Sequence, residues 1–70
     1  MDERKKTFIK LAEIRVNNAL KAMKLLGNLS NKSNYSYDEP QVRKILLALD
    51  SELKSLKVKF QESNKKRFKL

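Results

Sequence analysis

A chain of seventy residues with a single glycine, Gly27, and a single proline, Pro40, has very few places where a helix is forced to stop. Its only polar, turn-rich stretch, Asn28 to Tyr37, lies between those two residues, so the sequence reads as two arms around one connector. In the first arm Phe8, Ala12, Arg15, Ala19, Ala22 and Leu26 alternate spacings of four and three, which sets them on one stripe of an α-helix. Lys10, Glu13, Asn17, Lys21 and Lys24 take the opposite face, and Gly27 is a natural terminator.

The second arm opens at Asp38-Glu39-Pro40-Gln41. Asp38 is placed to cap the free amides, Gln41 three residues on to reach back, and Pro40 falls in the first turn, where its missing donor is harmless. Downstream, Val42, Leu46, Leu49, Leu53, Leu56 and Phe60 repeat the four-three rhythm, with Ile45 alongside. Folding one arm back on the other pairs the layers in reverse: Leu26 with Val42, Ala22 with Leu46, Ala19 with Leu49, Arg15 with Leu53, Ala12 with Leu56, Phe8 with Phe60. Small residues then face large ones, which favours close helix packing. The expected fold is all-α, an antiparallel two-helix hairpin over residues 1–63, with helices over about 3–26 and about 38–63, a loop over 27–37 and a basic tail over 64–70.

At this length the core is thin, and with neither cysteine nor histidine no disulfide, zinc or copper site is available to staple it. Apolar residues outside the main stripe point to another source of stability. Leu11, Ile14 and Leu25 line one flank of the first helix, Ile9, Val16 and Leu20 the other, and Leu47 and Val58 lie away from the seam of the second. One partner helix does not cover so wide an arc, so Ile14 and Leu25 are expected at an interface, most simply in a homodimer forming a four-helix bundle. The alternative is that these residues are singly exposed and carry no meaning. Arg15, standing where a leucine fits, either pairs with Glu52 or Asp50 across the hairpin or points into the oligomer interface and fixes its register.

Charge gives the sharpest functional signal. The formal net charge is +9, from seventeen Lys and Arg against eight Asp and Glu, an excess that favours polyanions. Residues 1–10 and 54–70 together hold eleven of the cations and three of the acids. Antiparallel arms bring these segments side by side, and such a pole is the electrostatic footprint of a phosphate-binding surface, with Arg4, Lys5, Lys6, Lys59, Lys65, Lys66 and Arg67 as the gripping residues. The tail Asn64 to Leu70 reads alternatively as a solvated segment, a protein contact or a weak membrane-surface contact through Phe68 and Leu70. In the loop, Asn31, Asn34, Tyr35 and Tyr37 either satisfy turn backbone locally or offer amides and aromatic faces to unpaired bases.

No catalytic constellation emerges, since the chain has no His or Cys and no cluster of Ser, Thr, Lys or carboxylates within the stripe, and there is no glycine-rich phosphate cradle. No cofactor or metal is expected, no apolar run approaches the roughly 18 residues of a membrane span, and the N-terminus Met1-Asp2-Glu3-Arg4-Lys5-Lys6 leads into mixed, charged sequence rather than an apolar signal core. A cytoplasmic protein is the expectation.

The stretch from Leu26-Gly27-Asn28-Leu29-Ser30-Asn31 through Ser33-Asn34-Tyr35-Ser36-Tyr37 to Val42-Arg43-Lys44-Ile45 resembles part of a family of short bacterial helical-hairpin proteins of unknown function. The resemblance implies a bacterial or mobile-element origin and brings no binding residues. In architecture alone the hairpin is similar to the plasmid repressor-of-primer fold, a dimeric four-helix bundle that binds RNA. The resulting expectation is a non-enzymatic accessory protein for RNA or DNA; its rival is a protein-binding module, a small subunit or an inhibitor of an acidic enzyme, using the surplus apolar surface.

Overall fold

The computed structural model describes residues 2–64, and these residues form two α-helices with no strand. Helix α1 covers Glu3–Gly27 and helix α2 covers Glu39–Asn64. The chain divides between Ser36 and Tyr37 into two units, each built on one helix.

Short-range chemistry accounts for each helix end. At the start of α1 the Asp2 carboxylate accepts from the Arg4 amide at 3.0 Å, and the Asp2 carbonyl accepts from Lys5 and Lys6 at 3.2 and 3.3 Å. Asp2 and Glu3 put negative charge where the helix dipole is positive, and Lys24 puts positive charge in the last turn. At the start of α2 the reciprocal cap expected from the sequence is present. The Gln41 amide donates to Asp38 Oδ1, and the Asp38 amide donates to Gln41 Oε1, both at 2.9 Å. Glu39 and Arg43 sit one turn apart with 3.8 Å between Oε1 and Nη1, an exposed pair worth a few tenths of a kcal/mol.

Gly27 ends α1, but not through the left-handed conformation that usually makes glycine a terminator. Its φ of −60° and ψ of −28° are right-handed. The helix tightens instead into a 3₁₀ turn over Asn28–Ser30, and the Asn28 amide reaches the carbonyls of Lys24, Leu25 and Leu26. Nothing at Gly27 then requires a glycine, and a Cβ built there meets no atom within 4 Å. Gly27→Ala is expected to stabilise the protein by about 0.5–1 kcal/mol, seen as a rise of a few degrees in the midpoint of a circular-dichroism melt.

The helices differ in how much of their circumference is apolar. With about 100° between successive residues, Val42, Ile45, Leu46, Leu49, Leu53, Leu56 and Phe60 fall within an arc of about 100° on α2. On α1 the apolar residues spread over about 240°, running from Ile14 and Leu25 through Leu11, Phe8, Ala12 and Val16 to Leu20. Asn18 and Arg15 interrupt that arc, and the remaining face is polar. Among the described residues none is buried, and only Ala12, Tyr37, Val42 and Leu49 are half-buried. Each helix thus displays an apolar surface that its own unit does not cover.

Candidate nucleic-acid interface

The cations near the start of the chain are neighbours in sequence but not on the helix surface. Arg4, Lys5 and Lys6 occupy the first two turns of α1, and each projects about 100° around the axis from the one before. Arg4 lies 3.9 Å from the Asp2 carboxylate through its Nε and is almost fully solvated. Lys5 falls on the line of Ala12, Val16 and Met23, at the end of the apolar arc. Lys6 lies on the polar face. Lys59 is exposed near the end of α2, at the margin of its apolar stripe. Lys65, Lys66 and Arg67 lie outside the described residues.

The connector uses part of its polar chemistry on itself. Asn31 Oδ1 accepts from the Ser33 amide at 2.9 Å, and the Asn31 carbonyl accepts from Asn34 and Tyr35 at 3.1 and 3.0 Å. This is the local side-chain turn typical of asparagine, so the Asn31 side-chain oxygen is engaged within the turn. Tyr35 is exposed and Tyr37 half-buried, so Tyr35 presents more of its ring for stacking. Ile14 and Leu25, the expected interface residues, are 47 % and 59 % exposed and share one line of α1 three turns apart. Arg15 is exposed between Ala22 and Phe8 on the same helix.

A feature of the polar face stands out once the helix register is fixed. Lys6, Lys10, Lys21 and Lys24 lie within about 60° of one another, with Asn17 among them. All four lysines are exposed, and among the described residues none of them forms an ion pair. Glu3 stands on the same line at the helix start and Glu13 at one margin. The spacings of four, eleven and three place these lysines on the face opposite the apolar stripe, a pattern that serves equally as the polar half of any amphipathic helix.

Among the described residues no group of acidic side chains is gathered to hold a metal ion, and no helix is long and apolar enough to cross a membrane. No family model matches the chain, and neither a curated protein nor a solved structure matches it significantly. Chemically, the described surface offers solvated ammonium groups for phosphates and uncovered aliphatic stripes for another helix.

Proposed function

We propose that this chain is a non-enzymatic, nucleic-acid-binding accessory protein that completes its core by pairing its helices antiparallel and by self-association. The carrying observation is the distribution of charge. Residues 1–10 and 54–70 hold eleven of seventeen cations and three of eight acids, and antiparallel pairing makes these segments neighbours. A concentrated cationic pole attracts phosphates, releases their counterions and gives salt-dependent affinity.

Pairing is supported from both sides of the seam. The narrow stripe of α2 matches the Phe8 to Leu26 part of the α1 arc in length. In the antiparallel register that sets Leu26 against Val42, Arg15 falls opposite Leu53, with Glu52 next to it at the edge of the seam. Opposite charges at that edge favour this register over a slipped one. The remaining α1 arc, with Ile14 and Leu25, is then available to a second copy, giving a four-helix bundle.

Substituting Lys65→Ala, Lys66→Ala and Arg67→Ala together tests the cationic pole. For duplex RNA or DNA, three lost phosphate contacts are expected to make the plot of log affinity against log salt shallower by about 2.7. Fluorescence anisotropy across a salt series measures this. Unchanged affinity, or no binding by the parent protein at low salt, contradicts the reading.

The second reading is a protein-binding module for an acidic partner. It is favoured by Leu47 and Val58, which lie on the side of α2 opposite its stripe, where neither hairpin pairing nor a simple bundle covers them; Leu47 is 64 % exposed. A parent protein that binds no nucleic acid but is held by an acidic protein through Leu47 would favour this module instead.

A further inference from the structure

We propose that the lysine row of α1, made of Lys6, Lys10, Lys21 and Lys24, is a docking surface for the phosphate backbone of double-stranded nucleic acid. This rests on the nucleic-acid reading above and extends its site from the chain ends along one helix. The row runs over nineteen residues of continuous helix, with about 27 Å from its first lysine to its last, and all of it is exposed. It has a cost within the free helix. Lys6 and Lys10 are like charges one turn apart, an arrangement that destabilises by about 0.2–0.5 kcal/mol, and Lys21 and Lys24 are close neighbours too. No ion pair among the described residues relieves that repulsion. An external polyanion does.

The spacing selects a duplex. The four lysines form two pairs whose midpoints are about 22 Å apart along the helix axis. That exceeds the roughly 12 Å width of the B-DNA major groove, so a helix laid across it reaches past both edges and carries one pair toward each phosphate ridge. The row also carries no aromatic ring and no guanidinium, and so nothing on which unpaired bases stack, the main source of affinity in single-strand binders. Asn17 is the one amide among these lysines. Lysines reaching phosphates position a protein without reading bases, so binding through this face is independent of sequence.

The test compares two full-length variants with the same charge loss. One is Lys10→Gln, Lys21→Gln, Lys24→Gln; the other, off the row and outside the cationic pole, is Lys32→Gln, Arg43→Gln, Lys44→Gln. Glutamine keeps helix propensity close to that of lysine, and circular dichroism checks that helicity is retained. Anisotropy titrations use a labelled 20-base-pair RNA duplex, the matching DNA duplex and a 20-nucleotide single strand. The row variant is expected to lose on the order of 100-fold in duplex affinity at 0.1 M salt, with a salt slope shallower by about 2.7. The off-row variant stays within a few-fold of the parent, and Lys10→Arg, Lys21→Arg, Lys24→Arg retains binding. Equal losses in the two glutamine variants, an unaffected row variant, or a parent protein that prefers the single strand overturns the proposal while leaving nucleic-acid binding intact. A parent that binds none of the three probes overturns the underlying functional reading itself.

Discussion

Replacing Leu49 with alanine is expected to lower the thermal midpoint of the protein by roughly 10 °C or more, whereas Leu47→Ala shifts it by about 3 °C or less. The two leucines are two residues apart on one helix and have the same intrinsic propensity. They differ in face. Leu49 is at the centre of the α2 stripe, flanked by Val42, Ile45, Leu53 and Leu56, and is half-buried. Leu47 projects from the far side and, among the described residues, is the most exposed of the large apolar side chains. If the stripe is a seam, truncating Leu49 removes buried methyl groups and leaves a cavity, a loss of about 2–5 kcal/mol. A small domain gives up about 4–8 °C per kcal/mol, so the difference between the variants is easily read by circular dichroism. Equal shifts would mean that the α2 stripe is not a seam.

The second large effect concerns self-association. The midpoint of the parent protein is expected to fall on dilution, because dissociation is coupled to unfolding in an associating fold. In Ile14→Lys, Leu25→Lys that dependence is expected to disappear and the midpoint to drop. The pair sits on one line of α1, so each chain would bring two ammonium groups into the contact. Burying them without partners costs several kcal/mol, and the cheaper alternative is to leave the interface open to water. Melts over a hundredfold range of concentration make the comparison. A parent midpoint that does not move with concentration would assign Ile14 and Leu25 to solvent or to a different partner.

What could be read directly from the sequence was what depends on neighbours within a turn or two. The Asp38–Gln41 cap, the position of Pro40 and the extents of both helices follow from such contacts, and all appear as expected. Gly27 shows the limit of that reasoning. A glycine at a helix end usually supplies a left-handed residue, but Asn28 satisfied the last carbonyls without one and the chain kept its right-handed sense. Charge was harder to read than apolarity. Arg4-Lys5-Lys6 look like a cluster when written in a line, yet helical rotation fans them over three faces, whereas the widely spaced Lys10 and Lys21 come onto one. Helix pairing belongs to a third category. It rests on long-range burial and on the concentration of chains, neither of which is written into local spacing.

Sedimentation equilibrium of the free protein at micromolar concentration tests most directly whether the uncovered stripes complete a core by association. The expected result is a species of twice the 8.2 kDa chain mass, which dissociates on dilution and in the Ile14→Lys, Leu25→Lys variant. A monomer at every concentration, combined with a sharp cooperative melt, would contradict it.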